Sequence, residues 1–258
     1  VYGWNFLGGK NGDIDVDNME VTRVVKKYQP IFEGNDSATN KANQQKMPEE
    51  FAMYMKSKDI FTKKSIDAKR NYEMFKKISE IVPTMVKLLN GKNLSPEVVA
   101  AINPATQEEA IAKDILGRIS SDPSIAGKTP ADVQNYISDQ MKEALDYYEP
   151  QATKQYNLDF DPRAELVGDN YDDYSQKYYG NNHYEGPDAL HGTHVAGIIA
   201  GVPQNGEIQY GVAYKVAKIM TVRAVPDGDE RDKDVANAIR YAVDNGMRLN
   251  MRKRKAFF

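Results

Sequence analysis

The segment from His191 to Gly201 constrains the fold of this chain more than any other stretch, because it joins a helical pattern to unusually small residues. Gly192, Ala196 and Ala200 recur at every fourth position, so on a helix they form one side with almost no side-chain bulk. Glycine inside a helix costs roughly 0.5–1 kcal/mol relative to alanine, so its presence there needs a packing reason. The pattern predicts a buried helix that neighbouring backbone approaches closely, with His191 held at its entrance.

His191 has the chemistry of a general base, because an imidazole can take up and return a proton near neutral pH. Such a base needs a carboxylate on one ring nitrogen and a hydroxyl against the other, and the segment supplies neither. His194 lies near the same helix face, so a two-histidine metal site is the alternative. Zinc-protease helices instead space their histidines by four with an adjacent glutamate, and this chain has no cysteine. We therefore interpret His194 as a structural histidine and His183 as a loop residue.

The string His-Gly-Thr-His-Val-Ala-Gly from position 191 resembles the histidine segment of the subtilisin-like serine proteases (subtilases, peptidase family S8). In that family the first histidine of the string is the catalytic base, so the resemblance implies this role for His191. Upstream, residues 179–190 form a turn-rich approach with Gly, Asn and Pro, as in subtilases. Downstream, residues 208–213 end in a string similar to the family's Gly-Val-Ala turn. The resemblance implies a serine-type endopeptidase that acts on polypeptides.

The pattern after the histidine segment predicts the order of an α/β fold. Residues 216–225 are typical of a largely buried strand. Apolar residues then recur at helical spacing from Asp232 to Asn245, and Gly246 stands where a helix ends. A helix, a strand and a helix in this order indicate an α/β fold, a partial subtilisin-like doubly wound parallel sheet.

A long charged stretch separates the two parts that resemble a protease. Apolar stripes predict a helix over residues 74–89, with Pro83 kinking it, and another over 106–119. Ser95 before Pro96, and Thr129 before a proline, have the residue types of helix N-termini. We predict three regions: an N-terminal protease piece (1–20), a large, mainly helical insertion (21–158) and a truncated histidine-bearing part of the catalytic domain (159–258). Burial of the stripes against one another is the simplest interpretation of the insertion, and a substrate exosite is the alternative.

Several subtilase elements have no counterpart in the sequence. No serine follows Ser175, there is no cysteine to replace it, and the family's oxyanion asparagine and aspartate-bearing strand are not matched. Residues 2–6, Tyr-Gly-Trp-Asn-Phe, are similar to a segment after the aspartate in some large bacterial subtilases. We therefore expect an internal fragment of a serine endopeptidase, inactive alone. The alternative is a non-catalytic binding module on a degenerate protease scaffold.

Composition limits the cofactors and partners. The net charge of −3 implies no general nucleic-acid affinity, and no apolar run reaches the roughly 18 residues of a membrane span. Residues 249–251 resemble part of the family's substrate-binding strand, and the cations at 252–255 replace its serine and glycine region. A truncated or altered end is the interpretation, and a patch for nucleic acid or an acidic partner is the alternative. Catalysis of this type needs no cofactor. Alternating Asp13, Asp15 and Asp17 begin like a calcium loop but lack the later EF-hand positions, so a weak structural calcium site and a solvated acidic turn are both open. The family resemblance suggests a secreted or cell-envelope bacterial protein.

Overall fold

The structure, a computed structural model, describes residues 3–203 and 210–246. The predictions for residues 208–209, for 249–251 and for the cations at 252–255 lie outside the described residues. The chain divides into two compact units, which we name the first unit (Val1–Arg23 and Leu158–Phe258) and the helical unit (Val24–Asn157). Helix α1 (Glu20–Phe32) contains the boundary between them.

The helical unit consists of helices, and several of them begin where the sequence predicted. After α1 come α2 (Ser37–Lys46), α3 (Pro48–Leu88), α4 (Pro96–Ala100), α5 (Gln107–Ile119), α6 (Pro130–Pro150) and a π-helical turn (Gln151–Gln155). The Ser95 hydroxyl accepts a hydrogen bond from the backbone N–H of Val98 and so caps α4. Thr129 and Asp132 form a reciprocal capping box at the start of α6. The predicted N-termini at Ser95 and Thr129 are therefore confirmed.

The predicted helical stripes bury against one another in a single core of the helical unit. The predicted helix over residues 74–89 is the last part of α3, which is 41 residues long and contains Pro83. Its buried side chains pack with those of α4, α5 and α6. The fully or nearly fully buried members are Ile81, Val82, Met85, Leu89, Leu94, Val99, Ile102, Ala112, Leu116, Ile125, Val133 and Ile137.

The first unit is an α/β arrangement with a small parallel sheet. Strand β1 (Gly3–Asn5) pairs in parallel with β4 (Thr221–Arg223), with Trp4 opposite Val222. A short antiparallel pair follows β1, formed by β2 (Gly8–Gly9) and β3 (Gly12–Asp13). The described part of the unit also contains α7 (Arg163–Leu166), α8 (Leu190–Ala200) and α9 (Asp232–Asp244). The predicted order of helix, strand and helix is confirmed, while the doubly wound sheet stays a prediction.

The strand predicted over residues 216–225 is wrong in extent and in burial. Only Thr221–Arg223 is extended and paired, and the side chains of Val216 and Val225 are 86% and 59% exposed. The physical reason is local. The backbone N–H groups of Val216 and Ala217 both donate to the carbonyl of Ala213, which curls the first part of this segment into a turn.

Aromatic side chains hold the first unit around β1. Trp4 stacks on Tyr241, and Phe6 meets the rings of Tyr179 and Tyr241 edge-on. Phe6 and Ile14 are buried. This packing joins β1 to α9 and fixes the chain just before α8 begins. Among the described residues, no helix is both long enough and apolar enough to span a membrane.

Candidate active site

The histidine helix forms as the sequence predicted, with His191 in its first turn. Helix α8 begins at Leu190, whose backbone N–H donates to the Asp188 carboxylate at 2.8 Å. The N–H of Thr193 donates to the carbonyl of Ala189, which closes the first turn. Asp188 places a negative charge at the positive end of the helix, where such a charge is stabilising.

The predicted burial of this helix is wrong for the described residues. Every residue of α8 is at least partly exposed, and His191 is among the exposed ones. A methyl group added at Gly192 or Gly197 would meet no described atom within 4 Å. The reason is that no described group outside the helix approaches Gly192 or Gly197, so close packing does not occur at these two positions.

The other end of α8 is tightly held by the segment that resembles the Gly-Val-Ala turn. The N–H groups of Gly211, Val212 and Ala213 donate to three carbonyls at the end of the helix, those of Gly201, Ile198 and Ile199, at 2.8 to 2.9 Å. These bonds satisfy acceptors that a helix C-terminus leaves without intrahelical partners. A side chain at Gly211 would collide with the backbone of Ala200, so the turn requires glycine.

Neither histidine of α8 has a triad partner among the described residues. No hydrogen bond or ion pair joins the His191 or His194 ring to another group in residues 3–203 or 210–246. The described part of the chain also contains no group of three or more His, Cys, Asp or Glu side chains that could hold a metal ion. His191 is therefore an exposed residue in the first turn of α8, and no described group is bonded to its ring.

The structure brings together another histidine and a carboxylate that the sequence did not pair. Nδ1 of His183 lies 3.1 Å from Oδ2 of Asp13. The other oxygen of Asp13 accepts hydrogen bonds from the side-chain amides of Asn5 at 2.9 Å and Asn181 at 2.7 Å. The sequence predicts a loop residue at His183, and the residue lies outside the helices and strands. Only the tertiary structure pairs it with Asp13, because 170 positions separate them.

The three calcium candidates have different partners and do not converge. Asp13 contacts the amides and His183, whereas Asp15 accepts from the guanidinium of Arg223 at 3.0 Å. Asp17 is fully buried and accepts two hydrogen bonds from Arg231, at 2.7 and 3.0 Å. The calcium site stays a prediction, and in this structure cations and amides already bind these carboxylates.

A buried charge cluster joins the segment before the approach loop to α9. Arg163 donates to both carboxylate oxygens of Asp169 and to both of Asp234, at 2.8 to 2.9 Å. Lys233 donates to Asp169 at 2.6 Å, and the Tyr179 hydroxyl donates to Asp234 at 2.6 Å. These five side chains, which we call the Arg163 cluster, are missed by sequence reasoning, because nothing in a linear pattern marks a buried charge.

The electrostatics of the Arg163 cluster favour its charged groups. Burial alone would raise the pKa of the Asp169 carboxyl, but hydrogen bonds from Arg163 and Lys233 lower it overall. Burial would lower the pKa of Arg163, and the hydrogen bonds to Asp234 and Asp169 raise it instead. Burial and the bond to Asp234 raise the pKa of the Tyr179 hydroxyl. The cluster is thus a hydrogen-bonded set in which the charged forms of Arg163 and Asp169 and the neutral form of Tyr179 are favoured.

A sequence model described as the subtilase family, peptidase S8, matches residues 63–250, well over half of the chain. The chain belongs to the subtilase family. This subtilase is similar to the cell wall-associated protease of Bacillus subtilis (strain 168), with 37% identity over 87 residues. The match covers 33% of this chain and 10% of that protein, so the chain spans about a tenth of the length of this curated relative. No solved structure matches the chain.

Proposed function

We propose that this chain supplies the histidine of an Asp-His-Ser triad in a serine-type endopeptidase, with His191 as the base. The aspartate and the serine come from polypeptide other than these 258 residues. In the reaction, His191 takes the proton of the serine hydroxyl as the serine attacks a peptide carbonyl, and then returns it to the leaving amine. Membership of the subtilase family and the position of His191 in the first turn of α8 support this role.

The observation that carries the proposal is the uncovered apolar surface around His191. Leu190, Val195, Ile198 and Ile199 of α8 are between 41% and 77% exposed. Val212, whose backbone N–H donates to the carbonyl of Ile198, and Val216 are 92% and 86% exposed. Apolar residues scattered singly on a surface need no explanation, but a run of this kind on one helix and its following turn marks a surface that binds another polypeptide. We propose that the rest of the catalytic domain covers it.

The chain alone should not hydrolyse peptides. It contains no cysteine and no serine after Ser175, and His191 has no hydroxyl partner among the described residues. Removing the nucleophile from such a triad leaves a rate lower by roughly six orders of magnitude in a related system. We therefore expect no measurable peptidase activity from the chain by itself.

The remaining features fit an extracytoplasmic protease that carries an extra domain. We propose that the helical unit is an insertion between the aspartate-bearing and histidine-bearing parts of the catalytic domain. Its compact core, described above, supports folding as one body. The name of the Bacillus relative supports a cell-envelope location, and the family supports polypeptide substrates.

The test is to join the chain to its upstream aspartate segment and downstream serine segment and to assay cleavage of denatured casein. The joined protein should cleave casein, and phenylmethylsulfonyl fluoride should inhibit it. His191→Ala should reduce the rate by roughly 10⁴-fold or more. His194→Ala is the matched control, since it removes an exposed imidazole from the same helix.

A joined protein that folds but cleaves nothing would refute the endopeptidase proposal and support a binding module instead. Equal losses in His191→Ala and His194→Ala would refute the assignment of His191 as the base. A large loss in His191→Ala alone would support it.

A further inference from the structure

A second imidazole in the chain already has the carboxylate partner that a catalytic histidine needs. Oδ2 of Asp13 lies 3.1 Å from Nδ1 of His183. An ionised carboxylate can only accept hydrogen bonds, so Nδ1 carries the hydrogen and the lone pair is on Nε2. This is the arrangement in which an aspartate fixes the tautomer and orientation of a histidine.

The carboxylate is itself held in place. Its Oδ1 accepts from the side-chain amides of Asn5 and Asn181, at 2.9 and 2.7 Å. Asn5 is fully buried, and its backbone exchanges two hydrogen bonds with that of Asn181, at 2.8 and 3.0 Å. Gly8 leaves the room for this cluster, because any side chain there would collide with Asp13 and both amides.

The backbone of the histidine is also anchored. The N–H of His183 donates to Oδ1 of Asn181 at 3.0 Å, in the same residue whose amide holds Asp13. Both the ring and the backbone of His183 are therefore tied to one rigid set of groups. A side chain that is held in one geometry reacts faster, because less conformational freedom is lost on the way to the transition state.

The free side of the ring faces outward. The His183 side chain is 66% exposed, whereas the Asp13 side chain is 21% exposed. Within residues 3–203 and 210–246, no group makes a hydrogen bond to Nε2 of His183. His191 and His194 are exposed as well, but neither has a carboxylate on its ring in the described part of the chain.

We propose that His183 is a nucleophilic site that accepts acyl groups from activated esters, independently of the subtilase triad. Nε2 attacks the ester carbonyl, the bond from the carbonyl carbon to the aryl oxide breaks, and the aryl oxide leaves. Asp13 stabilises the positive charge of the acylated ring through Nδ1–H. Water then attacks the acyl carbon, which releases the carboxylic acid and restores the imidazole. One ester and one water give one acid and one phenol.

The substrate class follows from what the site lacks. Within residues 3–203 and 210–246, no serine hydroxyl makes a hydrogen bond to His183, and the sequence has no cysteine. A lone imidazole expels only good leaving groups. The site should therefore react with aryl esters and acid anhydrides and not with peptides. An acyl-transfer activity at His183 would persist in a chain that has no peptidase activity.

The experiment measures p-nitrophenol release from p-nitrophenyl acetate by the full chain, at neutral pH. His183→Gln should lower the release severalfold, to the slower rate that the exposed imidazoles of α8 supply. Asp13→Asn should lower the part of the release that depends on His183 by about tenfold or more, because the carboxylate that orients the ring and stabilises its positive charge is lost. His194→Gln is the matched control and should leave it unchanged, because it deletes an exposed imidazole without a carboxylate partner.

A second measurement does not depend on turnover. Diethyl pyrocarbonate modifies accessible, unprotonated imidazoles, and mass spectrometry of the digested chain gives the rate at each histidine. We expect His183 to react several times faster than His194, with the difference lost in Asp13→Asn. The fluorescence of Trp4 reports whether each variant keeps the fold of the first unit.

Equal rates of modification at the three histidines, or unchanged ester hydrolysis in His183→Gln, would overturn the proposal. Loss of ester hydrolysis in His191→Gln but not in His183→Gln would also overturn it. Because the chain is tested without the other triad residues, either result is independent of the endopeptidase proposal.

Discussion

Helices α8 and α9 of the first unit show the opposite of the burial that their sequences suggest. Helix α8 is apolar and has no buried residue, whereas the mixed helix α9 buries Lys233, Asp234, Asn237 and Ala242. The charged side chains of α9 are buried because Arg163 and Asp169 pair with them. The comparison shows that available partners, and not hydrophobicity alone, decide which helix is covered.

The same difference distinguishes two regions of this subtilase: one whose charges are paired, and one whose apolar residues are exposed. The Arg163 cluster is complete within the described residues, since each of its charges has an opposite charge or a hydrogen-bond donor. The apolar side chains of α8 are exposed, and we propose that another polypeptide buries them. The first region should therefore govern the stability of the chain, and the second should govern its association.

The largest effect should come from removing the central cation of the cluster. Arg163→Met leaves Asp169 and Asp234 buried with fewer partners, and loss of one member of a buried ion pair costs about 3–5 kcal/mol. Urea unfolding followed by the fluorescence of Trp4, the only tryptophan, measures this in the first unit. Lys177→Met, at an exposed cation, should change stability by less than about 0.5 kcal/mol. Similar losses in both variants would contradict our view of the cluster.

The same isoleucine-to-alanine substitution, made at a buried and at an exposed position, compares the covered and uncovered parts of the first unit. Ile14 is 1% exposed and Ile198 of α8 is 55% exposed. Ile14→Ala should lower the free energy of unfolding by about 2–4 kcal/mol. Ile198→Ala should lower it by less than about 0.5 kcal/mol. Urea unfolding followed by the fluorescence of Trp4 measures both variants. A loss of more than about 2 kcal/mol in the free energy of unfolding of Ile198→Ala would mean that α8 is covered in the isolated chain.

A smaller effect is expected where the turn meets the end of α8. Gly211→Ala forces a methyl group into the backbone of Ala200, and overpacking of this kind costs about 1–3 kcal/mol. Amide hydrogen exchange at Val212 and Ala213 should become faster, because their N–H groups donate to the helix. Unchanged protection at these two amides would show that the turn does not hold the helix end.

The smallest effect is expected for Gly197→Ala, and whether this substitution raises or lowers stability depends on what covers α8. In the chain alone, Gly197→Ala has open space and should stabilise the helix by about 0.5–1 kcal/mol. In the joined protease the same methyl group should meet packed backbone and lower both stability and casein cleavage. Hydrogen exchange of α8 amides in the two proteins measures this. A stabilising effect in both would refute packing against the small-residue side.

Local signals in the sequence were reliable where the cause is local. The capping residues Ser95 and Thr129 start the helices that they predicted, and the apolar spacing after Asp232 gives α9. The end of α9 is also confirmed, since Gly246 adopts a left-handed φ of +98°. The strand predicted over residues 216–225 was wrong over most of its length, because backbone hydrogen bonds within a turn outweighed the apolar pattern.

The candidate site divides in the same way. The string around His191 was enough to predict a helix, its start and its family, because a short motif of that specificity records both local geometry and ancestry. The exposure of that helix, the pairing of His183 with Asp13 and the burial of Asp234 depended on the tertiary structure. Hydrogen bonds and desolvation act between residues that are distant in the chain, and a linear pattern does not contain those distances.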